Sequence, residues 1–220
     1  MKTQKIEASK TAIVLIETQH DFLKPGGAMY PSIAGQLEAR RVIPNLVDLV
    51  NEARKKVKKI VYAPFEAFER GFPELDRNGP GMLGLRGLEI GMPTGWKIDG
   101  KPVTGAWVKG TPGPEIIPEL TPEEGDLILR GKKTLDAFQS TSLDYTLRTN
   151  LVETVAIAGF HTNWCVESTA RSAYDKGYRV IVIADCTGTD TQVEQGYAEK
   201  YIFPKIGLIL NHQEFLKSLV

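Results

Sequence analysis

Short apolar runs alternate along the chain with amphipathic stretches, and this alternation predicts a parallel sheet covered by helices. Most of these runs contain hardly any polar position, as expected for strands that are buried on both faces. Six strands are predicted, at residues 12–16, 60–64, 126–130, 155–158, 179–184 and 206–210. We therefore predict an α/β fold with a doubly wound, mainly parallel, six-stranded sheet and helices on both faces.

Helices are predicted where apolar residues recur at helical spacing between the strands. The first such stretch covers residues 35–56, and Pro44 within it marks either a kink or the true start of the helix. Gly177 is expected to end a helix at residues 165–176. Two further helices are predicted, at residues 140–148 and 193–203.

Residues 65–125 break the regular alternation of strands and helices. This segment is rich in glycine and proline and shows little periodicity. Long irregular segments in compact domains commonly serve a function, so we expect this one to shape a pocket or an oligomer interface. Trp96 and Trp107 lie within it and are candidates for a lid or a subunit contact.

Composition narrows the classes of protein that the chain can belong to. With 220 residues, of which 42% are hydrophobic and 25% charged, it fits one globular domain spanning residues 1–220. Basic and acidic residues balance at 27 each, which gives no electrostatic reason to expect nucleic acid or membrane as a partner and is compatible with a homo-oligomer, a dimer or tetramer. Two cysteines do not make a disulfide framework, so we expect reduced thiols and a cytoplasmic location.

Three chemically active residues follow three of the predicted strands. Glu17 ends the first strand, Lys132 follows the third, and Cys165 opens the helix after the fourth. Because doubly wound sheets bind ligands at the carboxyl ends of their strands, all three belong to the functional edge. A helix N-terminus and an ammonium group favour a thiolate, and a carboxylate can take the thiol proton and return it to a departing amine. This arrangement predicts a cysteine hydrolase.

Each residue also has an ordinary structural interpretation. A lone buried cysteine is usually an inert core residue, Lys132 adjoins Lys133 in a pair typical of solvated loops, and Glu17 could cap a helix. Cys186, after the fifth predicted strand, is a competing nucleophile, although no helix begins there and a structural role is favoured. Spacing alone leaves these alternatives open.

Four segments carry a resemblance to a known family. They are residues 13–22, 110–120, 132–143 and 159–171, and the last reads GFHTNWCVESTAR. In these segments the chain resembles the isochorismatase-like cysteine hydrolase superfamily, which includes nicotinamidases, N-carbamoylsarcosine amidase and ureidoacrylate amidohydrolases. The likeness extends from about residue 12 to residue 210.

The resemblance implies an activity and a set of site residues. It implies hydrolysis of a C–N bond in a small amide, ureide or carbamoyl compound through a thioester, with a catalytic triad of Glu17, Lys132 and Cys165. It also implies a cis peptide bond between Phe160 and His161. The backbone N–H groups of His161 and Cys165 would then form the oxyanion hole.

Two departures from the family pattern affect this prediction. The family's acid is normally aspartate, whereas here it is Glu17, which can shift the position of the proton relative to the sulfur. Nicotinamidases bind a metal through histidines after the second strand, and residues 64–69 contain no histidine. The three histidines, His20, His161 and His212, are dispersed, so we predict no metal and no other cofactor.

Four residues near the triad are predicted to contact the substrate: Gln19, Phe22, Asn163 and Trp164. Asn163 could instead cap the following helix, and the two aromatic residues could simply pack. Two rival functions also remain, namely vinyl-ether hydrolysis of the isochorismatase type, which does not require a thiol, and a non-catalytic binding or scaffold role for the same fold.

Overall fold

The computed structural model describes residues 5–75 and 90–220, and within them it contains a six-stranded sheet in which every strand pair is parallel. The strands are β1 (Thr11–Ile16), β2 (Lys59–Ala63), β3 (Pro93–Ile98), β4 (Lys101–Thr104), β5 (Leu127–Ile128), β6 (Thr154–Phe160), β7 (Arg179–Gly188) and β8 (Leu208–Leu210). Strands β3 and β4 form a separate antiparallel hairpin, and the main sheet has the order β5-β2-β1-β6-β7-β8. The predicted fold class is therefore confirmed. The order of the sheet is that of the doubly wound nucleotide-binding folds, and the winding reverses between β1 and β6.

Helices cover both faces of this sheet. They are α1 (His20–Leu23), α2 (Tyr30–Ala39), α3 (Val42–Ala53), α4 (Leu143–Thr149), α5 (Glu167–Asp175), α6 (Gln192–Tyr197) and α7 (His212–Ser218). Because side chains alternate along a strand, Ile13 and Leu15 of β1 join the core beneath α2, α3 and α7. Val14 and Ile16 point the other way and join the core beneath α4 and α5. None of the helices in the described ranges is long and apolar enough to cross a membrane.

The prediction of one helix over residues 35–56 is wrong, because two helices occupy this stretch. Arg41 separates them in the left-handed conformation, with φ 53°. Pro44 is the third residue of α3, within the first turn, where a missing backbone N–H breaks no helical hydrogen bond. Of the two interpretations of Pro44, the structure supports the start of a helix.

The segment 65–125 is less irregular than its composition indicates. It contains the β3–β4 hairpin, whose turn is made by Asp99 and Gly100, both with positive φ. An Asp-Gly pair is a strong signal for a two-residue hairpin turn, and this signal could have revealed the hairpin from the sequence. Residues 76–89, a part of the same prediction, lie outside the described residues.

Candidate active site

Glu17, Lys132 and Cys165 meet at the point where the winding of the sheet reverses. The Cys165 thiol donates a hydrogen bond to Glu17 Oε2, with Sγ and oxygen 3.2 Å apart. The other carboxylate oxygen, Oε1, accepts a short hydrogen bond from Lys132 Nζ. Lys132 Nζ also donates to the backbone carbonyl of Thr134 at 2.7 Å. A single carboxylate thus contacts both the sulfur and the ammonium, although the three residues are far apart in the sequence.

Close approach of β1 and β6 makes this contact possible. Ile16, the last residue of β1, is paired with Gly159 of β6, which has φ +120°. A Cβ atom at Gly159 would lie 2.0 Å from the carbonyl oxygen of Ile16, so only glycine fits. The residues that follow each strand, Glu17 and the turn carrying Cys165, are therefore held close to one another.

The site is buried, and burial dominates its electrostatics. Glu17 and Lys132 are fully buried, and Cys165 is 3% exposed. Burial raises the pKa of Glu17, while the charge and hydrogen bond of Lys132 partly oppose this. Burial and the neighbouring Glu17 raise the pKa of the Cys165 thiol well above its ordinary value, and Lys132 opposes the rise.

These shifts disfavour the preformed thiolate that the sequence predicted. The Cys165 thiol is placed to donate a hydrogen bond to Glu17. The direct contacts of Lys132 Nζ are with Glu17 and with the backbone of Thr134. Lys132 therefore holds the carboxylate in place and compensates its charge, and Glu17 is positioned to take the thiol proton.

Cys165 lies in a π-helical turn, Thr162–Val166, that leads into α5. The peptide bond between Phe160 and His161, just before this turn, is cis. The backbone N–H of His161 faces the Cys165 sulfur and lowers its pKa. A backbone donor is thus directed at the reacting sulfur itself, and it favours a negative charge there.

The structure gives different surroundings to the four residues predicted to contact the substrate. Gln19 is buried, and its amide donates to the carbonyls of Phe65 and Pro114 and accepts from Phe65 N. Because both of its amide hydrogens are engaged, it fixes these loops and does not offer a free donor to a ligand. Substrate contact by Gln19 therefore stays a prediction, and these bonds give the residue a structural role as well.

The other three residues border the triad. The Phe22 ring packs edge-on against the ring of His161, with centroids 5.1 Å apart. The Trp164 ring also packs edge-on against this imidazole, with centroids 5.0 Å apart. Asn163 accepts a hydrogen bond from Thr189 Oγ1 and is, like Trp164, half-buried. Asn163 and Trp164 are thus residues next to Cys165 that reach solvent.

An aromatic layer packs over Lys132 of the triad. The Phe65 ring lies 5.0 Å from Lys132 Nζ and stacks on Trp107 at 4.3 Å between centroids. Asp21 anchors this layer, since its carboxylate accepts from Trp107 N at 2.6 Å and from Trp96 Nε1 at 2.8 Å. The location of Trp96 and Trp107 in segment 65–125 made them candidates for a lid or a subunit contact, but nothing in the sequence indicated that Asp21 binds both. Cys165 is 3% exposed, so side chains around it would have to move to admit a substrate carbonyl.

Cys186, the competing nucleophile, lies inside β7 and not after it, and packs in the core on the other face of the sheet from Cys165. Its side chain is fully buried, next to Asp185 and His212. His212 Nδ1 is 2.6 Å from Asp185 Oδ2, and His212 N donates to Asp185 Oδ1. These bonds tie the start of α7 to β7, in agreement with a structural role.

The fold and the site define an α/β protein of doubly wound topology with a cysteine, an acid and a lysine at its reversal point. The isochorismatase domain family matches residues 11–214, so the chain belongs to the isochorismatase family, as the resemblance predicted.

YwoC of Bacillus subtilis, a protein of this family, is 31% identical over the whole of this chain and 99% of its own length. The ureidoacrylate amidohydrolase RutB of Methylobacterium radiotolerans is 28% identical over 83% of this chain and 68% of its own length. In fold, the chain resembles an isochorismatase family protein from Desulfovibrio vulgaris, with a TM-score of 0.73, 23% identity, and coverage of 94% of this chain and 96% of that one.

Proposed function

We propose that this protein is a cysteine-dependent amidohydrolase that cleaves a C–N bond of a small amide, ureide or carbamoyl compound. The observation that carries the proposal is the shared carboxylate of Glu17, which contacts Cys165 Sγ through one oxygen and Lys132 Nζ through the other. A buried thiol needs an adjacent base to become a nucleophile, and this arrangement supplies one. The similarity to a ureidoacrylate amidohydrolase supports the same bond type.

The acylation half-reaction follows from the contacts of Glu17. As Cys165 Sγ attacks the carbonyl carbon, Glu17 takes the thiol proton and the carbonyl oxygen becomes negative. The N–H groups of His161 and Cys165 stabilise this oxyanion. Glu17 then gives its proton to the leaving nitrogen, the C–N bond breaks, and ammonia or an amine departs from the thioester.

Deacylation reverses the roles. Glu17, again a carboxylate, takes a proton from a water molecule as the water oxygen attacks the thioester carbon. The C–S bond breaks, the acid product forms, and Glu17 returns its proton to the Cys165 sulfur. Lys132 stays bound to Glu17 throughout and limits how far the pKa of this carboxyl rises in its buried position.

A screen of ammonia release from pyrazinamide, N-carbamoylsarcosine and ureidoacrylate, extended to other small amides and ureides, tests the proposal. We expect Cys165→Ala to lower kcat by at least about 10³-fold on any compound that the wild type hydrolyses, because the nucleophile is lost. Cys186→Ala is the matched control, since it removes the other buried thiol. Undiminished hydrolysis by Cys165→Ala would refute the mechanism.

The raised pKa of Glu17 favours a second candidate, vinyl-ether hydrolysis, in which a protonated carboxyl donates to carbon. Isochorismate consumption by Cys165→Ala and by Glu17→Gln distinguishes the two functions. In this alternative Glu17→Gln abolishes turnover, whereas Cys165→Ala retains it.

A further inference from the structure

Within residues 5–75 and 90–220, the completely buried side chain of His161 finds no hydrogen-bond partner. Among the described residues, neither Nδ1 nor Nε2 makes a hydrogen bond, and Asp190 Oδ1 is also buried and unpaired. The two residues face one another, with Nε2 and Oδ1 3.8 Å apart, which is too far for a direct hydrogen bond. A buried polar atom without a partner destabilises the fold, so a native protein rarely keeps several together without a function.

The imidazole presents both a donor and an acceptor. Burial lowers the pKa of His161 to about 4, even though Asp190 and Glu194 oppose the shift. At neutral pH the ring is therefore uncharged, with one N–H donor and one lone-pair acceptor. The rings of Phe22 and Trp164 each pack edge-to-face against the imidazole of His161, and these two contacts fix its orientation.

The pair lies between the reacting sulfur and solvent. The backbone N–H of His161 faces Cys165 Sγ, whereas the Asp190 side chain is 32% exposed. Thr189, the residue before Asp190, is bonded to Asn163 of the nucleophile turn. A molecule that enters past Asp190 and presents its carbonyl to Cys165 would pass along the unpaired face of the imidazole.

We propose that His161 and Asp190 form a substrate-recognition subsite that binds an N–H or O–H donor on the part of the substrate that is not cleaved. The proposal rests on the proposed amidohydrolase function. A group between Nε2 and Oδ1 can hydrogen bond to both atoms, and a site with buried polar groups of this kind rejects an analogue that leaves them unpaired. The charged groups that act on the imidazole, Asp190 and Glu194, are both acidic, so the subsite disfavours a carboxylate at this place.

Three probes of one skeleton test this preference: succinamide, methyl succinamate and succinamate. All three carry the same cleavable amide. The end that is not cleaved is a hydrogen-bond donor in succinamide, an acceptor without a donor in methyl succinamate, and an anion in succinamate. We expect kcat/KM to fall in that order, with at least about tenfold between succinamide and succinamate, and the difference should lie mainly in KM.

Asp190→Asn removes the charge and keeps the shape, so we expect it to reduce the preference for succinamide over succinamate by about tenfold or more. Glu124→Gln is the matched control, because it removes one exposed negative charge beside β5 and should leave the preference unchanged. An unchanged preference in Asp190→Asn, or an equal change in Glu124→Gln, would overturn the subsite.

Protection of Cys165 from iodoacetamide, followed by mass spectrometry of its peptide, measures binding without catalysis. Protection by succinamide but not by succinamate supports the subsite even if none of the probes releases ammonia. Selective protection without ammonia release would count against the proposed amidohydrolase function and not against the subsite. Equal protection by all three probes, or none, would overturn the subsite whatever the enzyme hydrolyses.

Discussion

Cys165 and Cys186 occupy similar places in the fold and yet have different neighbours. Each is buried toward the carboxyl edge of the same parallel sheet, beside a carboxylate, and burial raises the pKa of each thiol well above its ordinary value. At Cys165 two groups oppose that rise, the Lys132 ammonium and the backbone N–H of His161. At Cys186 the groups that act on the thiol besides burial, Asp185 and Asp48, both raise its pKa further.

The comparison shows why Cys165, and not Cys186, is the proposed nucleophile. Exposure does not, because both sulfurs are almost completely covered. The difference is that a negative charge formed at Cys165 would face a cation and a backbone donor, and its proton would go to Glu17 in direct contact. At Cys186 the neighbouring carboxylate of Asp185 also contacts His212 Nδ1, and its own hydrogen bond to the thiol raises the thiol pKa further.

Removing the cation is expected to have the largest effect on the fold. Lys132→Met leaves Glu17 buried without its partner, and breaking a buried pair in this way typically lowers the free energy of unfolding by about 3–5 kcal/mol. Lys133→Met is the control, because Lys133 forms a half-exposed pair with Glu74, where such pairs contribute about 0–1 kcal/mol. Urea denaturation measures both, and equal losses would show that Lys132 has no special role.

The same variant has a definite pH dependence. Without Lys132, the already raised pKa of Glu17 rises further. The folded variant therefore keeps a proton on Glu17 at pH values where the unfolded chain, in which the pKa of Glu17 is lower, has released it. The contribution of Glu17 to stability is fully present below the pKa that Glu17 has in the unfolded chain. It is lost as the pH rises through the pKa that Glu17 has in the folded variant. The destabilisation should therefore be smaller at about pH 5 than at about pH 8, and the opposite trend would contradict a buried, unpaired carboxylate.

Shortening the acid tests whether the site is built for glutamate. Glu17→Asp withdraws the carboxylate by about one carbon–carbon bond, so it can no longer contact both Cys165 and Lys132. A displacement of about 1 Å can lower a rate by about 10²-fold, and we expect a loss of that size in kcat. A loss below about fivefold would show that the contacts adjust and that the family's usual aspartate is equivalent here.

The smallest effect is expected at the second thiol. Cys186→Ala deletes one buried atom from the core and should lower the free energy of unfolding by about 1 kcal/mol, with activity unchanged within about twofold. Thermal unfolding and the ammonia assay measure the two quantities. A loss of activity comparable to that of Cys165→Ala would mean that the roles of the two thiols have been assigned wrongly.

The sequence was a good guide where a physical signal was local. Buried parallel strands are continuous apolar runs, so all six could be recognised, and the rule for strand ends then placed Glu17, Lys132 and Cys165 at one edge. The helix break at Arg41 could not be read from the sequence, because the left-handed conformation is imposed by packing on a residue that has no preference for it.

Properties that depend on long-range contacts were missed. The resting thiol depends on complete burial, which no spacing reveals, and the use of Gln19 to hold Phe65 and Pro114 depends on loops distant in the chain. Asp190 followed a predicted strand end but belonged to no motif. Its unpaired oxygen is visible only once His161 has been placed beside it.

The central claim is that acyl transfer passes through the sulfur that touches Glu17. Turnover quenched with acid, followed by mass spectrometry of the digested protein, locates a trapped acyl group directly. We predict that the peptide containing Cys165 gains the mass of the acyl fragment and that the peptide containing Cys186 does not. An acyl group on Cys186, or hydrolysis that continues in Cys165→Ala without any covalent adduct, would contradict the account.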